Sequence, residues 1–339
     1  MLADLLKKLL YGSRALGLYH RIRNADTLTV IMFHRVLDPA DPRWAGCDPD
    51  YTLSAQHFEE CLRFFARHYN IVSADAVLLA GRGAARLPRR ALLLTFDDGW
   101  ADNVQYALPA MRRLGMPGLI FVVSDAVDRA EPFFQERIVG AWRRGRLTLE
   151  RLAEALHALD VGPRSSTAPP PLELRALIRQ VEALPGASRQ RLLATLESEL
   201  ADDCRHMVST AELAQLEAGG MRVGLHGKSH VPLTLADDLD AQLAGARRAV
   251  AQRLPRREAP VTMSFPHGKF DAAIAAQAWE AGFEVLFTSV PILNPARGAL
   301  GALLGRVGFE SRTVADAQGR FRPEWLALHL FRRPQRNLG

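Results

Sequence analysis

The stretch Leu92–Trp100, with the sequence LLLTFDDGW, determines how the rest of the chain is interpreted. A short apolar run that ends near a glycine is typical of a buried strand followed by a turn. Two adjacent carboxylates, Asp97 and Asp98, stand at the end of this run. Neighbouring carboxylates repel each other and are costly to remove from water, so they indicate a shared cation or proton. The alternative is a strand that ends in a solvated Asp-Gly turn.

A second stretch, Val223–Pro232, contains two histidines suited to metal binding. His226 and His230 have the H-x3-H spacing that is common among zinc ligands, and neutral imidazole is a favoured ligand for this metal. Histidine pairs also occur on surfaces and in hydrogen-bonded cores. This pair is therefore weak evidence when it is taken alone.

A third stretch places a sharp turn after the strand-like run Met263–Phe265. The turn consists of Pro266, His267 and Gly268. Such turns point backbone N–H groups into a cleft, where they can form an oxyanion hole. The order of the three stretches along the chain is more informative than any one of them.

In this order the motifs resemble those of the polysaccharide deacetylase family, also called the NodB-homology or carbohydrate esterase family 4 group. The resemblance rests on Thr95–Gly99, on His226–His230 with Pro232, and on Phe265–Gly268, and it spans roughly residues 28–306. It implies an α/β fold, a distorted (β/α) barrel with seven strands and an α-helical insertion. It also implies a hydrolase that removes N-acetyl groups from amino sugars of a polysaccharide, oligosaccharide or lipid-linked glycan. The exopolysaccharide-biosynthesis branch is the most similar one.

The resemblance implies a role for each matching polar side chain. Asp97 would be the general base, and Asp98, His226 and His230 would bind one divalent metal ion. Zinc is the first choice, with cobalt or nickel as alternatives. Three protein ligands leave positions open for water and substrate, as in catalytic metal sites.

The turn after the third strand-like run departs from the family pattern. Phe265, Pro266 and Gly268 are expected to line the substrate and oxyanion site. Many family members begin this motif with an Arg that contacts the catalytic Asp, and they carry a Tyr before the Gly. Ser264 and His267 stand at these two positions here.

Other residues must therefore supply the positive charge that the family Arg would bring and act as the general acid. Arg306, in the last predicted barrel strand, is a candidate for the charge. The late Leu-x-His segment that supplies the acid in many members has no convincing copy, because the stretch that ends at His329 favours a helix. His34, His267 and His329 are candidates for the acid in no fixed order, and a structural hydrogen-bonding role is the alternative for His34.

The strand and helix patterns divide the chain into three parts. Residues 1–27 form a basic amphipathic segment, residues 28–310 form the barrel, and residues 311–339 form a C-terminal helix with a frayed basic tail. A helical insertion at about 130–208 contains a break at Pro169–Pro171. The insertion would cover the cleft, select the substrate or support dimerisation, and the sequence does not choose among these uses or an oligomeric state.

The composition excludes several classes of protein. With 339 residues, 48% of them hydrophobic and 24% charged, the chain is neither disordered nor a membrane channel. The net charge of +6 suits an anionic partner, but the scattered arginines lack the pattern of a nucleic-acid interface. Three widely spaced cysteines argue against a disulfide framework and favour a reducing compartment.

The N-terminal segment mixes leucines with basic residues. Arg14 interrupts the only candidate core of a signal peptide, and no run of ~18 or more apolar residues occurs anywhere. The sequence therefore predicts a cytoplasmic protein with neither a signal peptide nor a transmembrane span. The segment is either an interfacial helix in peripheral contact with an anionic membrane or an ordinary helix that packs on the barrel.

Two other functions stay open. A deformylase, or another amide hydrolase acting on a lipid-linked amino sugar, would use the same scaffold. A catalytically silent relative that binds glycan is favoured by the missing Arg and acid. Retention of Asp97 and of all three metal-ligand positions argues against that second alternative.

Overall fold

The structure is a computed structural model that describes residues 2–159, 173–298 and 300–338. The predicted break at Pro169–Pro171 lies outside the described residues. The strands β1–β12 are, in chain order, Thr27–Phe33, Arg35–Leu37, Thr52–Ser54, Asn70–Ile71, Ala91–Phe96, Gly118–Val122, Met221–Leu225, Thr262–Ser264, Val285–Phe287, Asn294–Pro295, Leu303–Leu304 and Val307–Gly308.

The α-helices α1–α15 are, in chain order, Leu2–Gly12, Ala15–Arg23, Ala55–His68, Ala74–Gly81, Leu108–Arg113, Phe134–Arg143, Leu149–His157, Leu174–Ala183, Gly186–Thr195, Glu197–Leu200, Thr210–Ala218, Ala246–Arg253, Ala272–Glu280, Ser311–Val314 and Pro323–Phe331. Single π-helical turns, Asn103–Ala107 and Ala241–Gly245, precede α5 and α12. Short 3₁₀ turns lie at Pro42–Gly46, Ser124–Ala126, Leu233–Leu235 and Pro266–Gly268.

Within the described residues, seven parallel strand positions form the barrel. Their order is β1, β5, β6, β7, β8, β9 and β11. Residues 303–308 close the sheet, because β11 pairs with β9 while β12, two residues further on, pairs with β1. The predicted distorted (β/α) barrel is therefore confirmed. Parallel strands end at the same rim, so the residues that follow these strands converge there.

The two faces of the strands bury different apolar clusters. On β5, Leu93 packs with Leu28, Phe121 and Phe287 from three other strands in the cluster that fills the barrel. Phe96 belongs to the larger cluster between the strands and the helices. Because successive side chains alternate along a strand, the inner row of β5 continues towards the position that follows Phe96.

A second compact unit is formed by residues 40–48 and 130–206. Helices α6–α10 pack around a core of their own that includes Ile138, Leu152 and Val181. Within this unit the buried carboxylate of Asp48 receives both guanidinium nitrogens of Arg175, each at 2.6 Å. The sequence assigned about 130–208 to the insertion, and the unit also includes residues 40–48.

The end of the chain is held in place. The backbone N–H of Leu293 donates to the carbonyl of Pro334 (2.9 Å), and Arg336 donates back to Leu293 (3.2 Å). The Gln335 amide donates to the carbonyl of Arg23 (2.7 Å). The prediction of a frayed tail is therefore wrong for residues 334–336, because their backbone pairs with a neighbouring segment. Among the described helices, none is long and apolar enough to cross a membrane.

His20 anchors α2 to the body of the protein. Its Nε2 lies 3.2 Å from the carbonyl of His68, and its Nδ1 lies 3.0 Å from the amide of Asn24. Its ring stacks on Phe331 with 4.1 Å between the centroids. Only 1% of His20 is exposed, so its imidazole is removed from water.

We expect acid to destabilise the protein through His20. Burial lowers the pKa of His20 to about 3, whereas the unfolded chain keeps a value of about 6.5. The unfolded state therefore binds the proton first, so stability is fully present above pH ~6.5 and is lost as the pH falls towards 3. At pH 5 the loss is about 2 kcal/mol. Urea unfolding at pH 7 and pH 5 should give a smaller difference for His20→Gln than for wild type, and equal differences would contradict this explanation.

Candidate active site

Asp97 and Asp98 follow β5 at the C-terminal rim of the barrel. The backbone N–H of Asp97 still donates to the carbonyl of Phe33 (3.0 Å), so its side chain continues the inner row of Thr95. At Asp98 the backbone enters the left-handed region with φ 77°, and Gly99 follows with φ 81°. The strand thus ends between Asp97 and Asp98, so the two carboxylates point in different directions and contact different residues.

Asp97 is held inside the barrel by a bidentate ion pair with Arg306. The two guanidinium nitrogens lie 2.6 Å and 2.8 Å from the two carboxylate oxygens. Arg306 is fully buried and also donates to the carbonyl of Thr288 (3.0 Å), and the hydroxyl of Ser264 donates to Asp97 at 3.1 Å. Burial raises the pKa of Asp97, but the charge and hydrogen bonds of Arg306 are the main influences that hold that pKa below its ordinary value. Asp97 is therefore an oriented carboxylate at neutral pH.

Asp98, His226 and His230 converge beside this ion pair. Oδ1 of Asp98 lies 3.4 Å from Nε2 of His226 and 3.2 Å from Nε2 of His230. One ligand atom from each residue lies within 4.8 Å of the other two. Among the described residues, this is the one group of three or more His, Cys, Asp or Glu residues close enough to hold a metal ion. A carboxylate with two imidazoles is a donor set that suits zinc and neighbouring divalent ions.

The protonation of these groups also fits a cation. Burial lowers the pKa of His226 to about 4, so its imidazole is neutral at pH 7. Burial raises the pKa of Asp98, but His230, His34 and His226 lower it by more, so Asp98 is a carboxylate. Nδ1 of His226 lies 3.0 Å from the carbonyl of Ser264. A carbonyl oxygen can only accept, so this contact requires the tautomer with its proton on Nδ1, and in that tautomer the Nε2 lone pair faces Asp98. Two acceptors that face each other at this distance repel unless a cation lies between them.

The loop that carries the two histidines is held by side chains around it. Oε1 of Gln242 accepts from the backbone N–H of Lys228 (2.9 Å), and its Nε2 donates to the hydroxyl of Ser229 (2.9 Å). Gly227 has φ 72°, and a Cβ there would lie 3.0 Å from the ring of Pro266. Any other residue would be strained at this φ and crowded against Pro266, so glycine suits this position.

His34 and His267, two of the candidate acids, lie near the carboxylates. β1 and β5 pair with Phe33 opposite Phe96, so His34 follows β1 beside Asp97. The ring of His34 packs edge-on against Tyr51, with 5.0 Å between the centroids. His267 is exposed, and its ring centroid lies 4.5 Å from that of His230.

His329, the third candidate acid, lies elsewhere. It is on α15, where its Nε2 is 3.0 Å from the carbonyl of Gly308 and Arg333 lies 2.9 Å from its ring. Its ring also packs edge-on against Phe309, which lies against the cluster between strands and helices. The proposal of His329 as the acid is therefore wrong, because the side chain is on the helix side of the barrel wall.

The turn at Pro266 offers fewer backbone N–H groups for an oxyanion hole than the sequence predicted. The backbone N–H of Phe265 already donates to Phe287 (3.2 Å), and that of Gly268 donates to Phe265 (2.9 Å). The ring of Phe265 stacks on Phe270 in the cluster outside the barrel, and Pro266 has no N–H. Phe265 and Gly268 therefore do not provide the expected oxyanion donors, because the sheet and the turn use both groups.

The sequence matches the family model for polysaccharide deacetylase over residues 84–286, which is more than half of the chain. The chain belongs to the polysaccharide deacetylase family. It is therefore a hydrolase that acts on carbon–nitrogen bonds, as the sequence motifs predicted. A comparison with curated protein sequences finds no significant match.

Solved structures of other deacetylases share the fold. The Streptococcus pyogenes deacetylase PplD in complex with acetate aligns with TM-score 0.57 and 12% identity over 90% of this chain and 99% of that chain. IcaB from Ammonifex degensii aligns with TM-score 0.57 and 16% identity over 91% and 97%. A de-N-acetylase from Aggregatibacter actinomycetemcomitans aligns with TM-score 0.53 and 15% identity over 84% and 95%. At these identities the likeness establishes the fold alone.

In this polysaccharide deacetylase the guanidinium that contacts Asp97 does not come from the third motif. Many family members use the Arg that begins the third motif, where this chain has Ser264. Here Arg306 arrives from the segment between β11 and β12, and Ser264 contacts the same carboxylate of Asp97. Ser264 Oγ also lies 2.6 Å from Nδ1 of His226, so one side chain contacts both the carboxylate of Asp97 and one of the two histidines beside Asp98.

Sequence reasoning missed three residues of this deacetylase that orient Asp98. The indole N–H of Trp100 donates to Oδ2 of Asp98 at 2.9 Å. The guanidinium of Arg35 lies 4.4 Å above the Trp100 ring and pairs with Asp102 at 2.9 Å, and both charged side chains are fully buried. These contacts leave Oδ1 of Asp98 turned towards the histidines. The only signal in the sequence was an aromatic residue directly after Asp-Asp-Gly.

Proposed function

We propose that this protein is a metal-dependent de-N-acetylase that acts on amino sugars of a polysaccharide, oligosaccharide or lipid-linked glycan. The observation that carries the proposal is the position of Asp98, His226 and His230 next to the ionised carboxylate of Asp97. These residues supply a cation site and a base at one rim of the barrel. Family membership supplies the reaction class, and the donor set supports metal dependence.

Asp98, His226 and His230 would hold the divalent ion, with zinc as the first choice. The ion, when bound, supplies Lewis acidity that polarises the acetamide carbonyl and makes water more acidic. The neutral imidazole of His226 and the carboxylate of Asp98 need no deprotonation at neutral pH before they bind it.

Asp97 is the proposed general base. It is ionised, and Arg306 and Ser264 fix the directions of its two oxygens. A fixed carboxylate can take the proton of the attacking water without first being reoriented. Because Arg306 is fully buried, its charge stays with this carboxylate rather than with solvent.

His34 is the proposed general acid that protonates the departing amine. It follows β1 in register with Asp97 and lies close enough to Asp97 and Asp98 to interact electrostatically with both carboxylates. The competing candidate, His267, is exposed and has its Nε2 3.0 Å from the carbonyl of His230. A partly buried imidazole beside the base is better placed to deliver a proton to the same bond.

Arg306 also argues against a catalytically silent relative. The main support for a catalytically silent, glycan-binding relative was the absence of the Arg that begins the third motif. A guanidinium in contact with Asp97 supplies the same charge from another strand. A deformylase differs only in the acid released, so identification of formate or acetate as the product separates it from a deacetylase.

The metal content of the purified protein tests the proposal. We expect about one divalent ion per chain in wild type under chelator-free conditions, and its loss in His226→Ala and Asp98→Ala. His157→Ala, which changes an exposed histidine outside the site, should retain the ion. Elemental analysis measures all four proteins, and acetate release from N-acetylglucosamine oligosaccharides should follow the metal. A wild-type protein that is metal-free and also refuses added zinc and cobalt would refute the metal-dependent mechanism.

A further inference from the structure

The first helix, α1, faces the body of the protein with its polar side. The ring of Tyr11 stacks against Phe64 with 6.4 Å between the centroids, and the ammonium of Lys7 lies 5.3 Å from the ring of Trp325. Lys7 and Tyr11 are four residues apart and so lie on one face of the helix. The four leucines Leu5, Leu6, Leu9 and Leu10 are 54%, 56%, 60% and 37% exposed. Their spacing places them on a single stripe, which therefore faces outward.

Helix α2 repeats this arrangement. Its inner face is defined by Leu16 and His20, which are four residues apart and buried. Its outer face carries Leu18, Tyr19 and Ile22, which are 60%, 41% and 71% exposed. The contacts of His20 with His68 and Phe331 fix which face is inside. The exposed apolar residues are therefore a stable feature of how the helix packs.

These seven side chains form what we call the N-terminal apolar surface. They are Leu5, Leu6, Leu9, Leu10, Leu18, Tyr19 and Ile22. In the described part of the chain, thirteen large hydrophobic side chains are exposed, and more than half of them lie on these two short helices. Single exposed hydrophobic residues are ordinary, whereas a concentration of this kind marks a surface that binds something.

The charges around this surface indicate the kind of partner. Lys8, Arg14 and Arg21 are exposed between the apolar residues. The single acidic residue of the two helices, Asp4, is paired with Lys7 at 3.2 Å. The basic residues therefore outnumber the acidic ones around the leucines. This combination suits an anionic bilayer, in which negatively charged headgroups cover an apolar interior. Neither helix is long enough to span a bilayer, so an orientation in its plane is the one that buries the leucines.

We propose that α1 and α2 dock this protein on a bilayer that contains anionic phospholipid, with the N-terminal apolar surface inserted among the headgroups. The proposal is independent of the proposed metal chemistry, because none of these residues belongs to the active site. A second copy of the chain is the competing occupant of the surface, and the experiment separates the two.

Co-sedimentation of the full-length protein with lipid vesicles tests the proposal. We expect wild type to bind vesicles of phosphatidylglycerol and phosphatidylcholine, to bind pure phosphatidylcholine at least tenfold more weakly, and to be released by salt. Leu6→Glu/Leu9→Glu should weaken binding at least tenfold. The matched control is Leu79→Glu/Leu114→Glu, which changes one leucine on α4 and one directly after α5, each 43% exposed, and it should bind like wild type.

A second variant removes charge rather than apolar area. Arg14→Gln/Arg21→Gln should weaken binding to anionic vesicles by about fivefold for each charge and should reduce the dependence on salt. Both residues are exposed, so this variant leaves the core unchanged. The arginine variant therefore still tests membrane binding even if the leucine variant does not fold.

Three results would overturn the proposal. The first is a wild type that does not bind anionic vesicles, and the second is equal binding by the leucine variant and its control. The third combines two observations: no protein binds vesicles, and wild type is a dimer whereas Leu6→Glu/Leu9→Glu is a monomer. This result would show that the surface binds a second copy of the chain. Metal content and acetate release should be unchanged in all variants, so failure here is distinguishable from failure of the proposed function.

Discussion

Asp97→Asn is expected to lower the rate of acetate release about a thousandfold while the protein keeps its metal ion. The amide has the shape of the carboxylate but cannot take a proton from water. The proposed ligands Asp98, His226 and His230 are unchanged, so the metal content should stay near that of wild type. Acetate release from N-acetylglucosamine oligosaccharides and elemental analysis measure the two quantities on the same preparation.

Asp26→Asn is a suitable control for this substitution. Asp26 forms a surface ion pair with Arg297 at 2.6 Å, so the variant makes the same chemical change away from the site. We expect wild-type activity and metal content from it. An Asp97→Asn protein that retains more than about a tenth of wild-type activity would exclude Asp97 as the general base, since this role contributes roughly 10²–10⁴-fold.

Arg306→Met is expected to lower the free energy of unfolding by about 3–5 kcal/mol. Both partners of the Arg306–Asp97 pair are buried, so removal of the guanidinium leaves a carboxylate that has lost its counter-ion in a dry environment. Methionine keeps much of the volume of the side chain, so the main loss is electrostatic rather than steric. Urea unfolding of metal-free protein measures the change.

A double-mutant cycle separates the ion pair from other effects of these substitutions. In Arg306→Met/Asp97→Asn both charges are absent, so the double variant should be more stable than the sum of the two single losses predicts, by about 2 kcal/mol or more. Strictly additive losses would show that the two side chains contribute to stability independently. That result would contradict the importance of the bidentate contact.

A different substitution, Arg306→Lys, should change how activity depends on pH. Arg306 helps to hold the pKa of Asp97 below its ordinary value, and the proposed base must be ionised. Activity therefore falls as the pH drops through the pKa of Asp97, and loss of Arg306 raises that pKa. The acid limb of the profile of kcat/KM should move to higher pH in Arg306→Lys, which keeps a charge but loses the bidentate geometry. An unmoved acid limb would assign that limb to another group.

The sequence by itself determined the parts of this protein that depend on neighbouring residues. The apolar run before Asp97 and Asp98 predicted a buried strand with carboxylates at its end, and β5 confirms that strand. The spacing of His226 and His230 placed two candidate metal ligands on one loop. The resemblance of these motifs to the polysaccharide deacetylase family then implied the barrel. These features are local because the alternation of a strand, the residues of a turn and the spacing within a loop all depend on residues that are close together in the chain.

Local patterns also explain two of the errors. The turn after Phe265 has the residues of an oxyanion loop, but the N–H groups of Phe265 and Gly268 pair within the sheet and the turn. His329 has the letters of a family motif, but its helix places it behind the barrel wall. In both cases the sequence specified the residue type, whereas the hydrogen bonds and packing of the folded chain decided whether that residue could take part in the site.

Only the tertiary structure decided which distant side chains meet. Arg306 contacts Asp97 because the chain crosses from β9 to β1 at residues 303–308, and this closure of the barrel turns its guanidinium inward. Trp100 reaches Asp98 because the left-handed turn folds it back, and Arg35 stacks on it from a different strand. The register of a closed sheet sets these contacts, and register depends on the packing of every strand at once rather than on any one stretch of sequence.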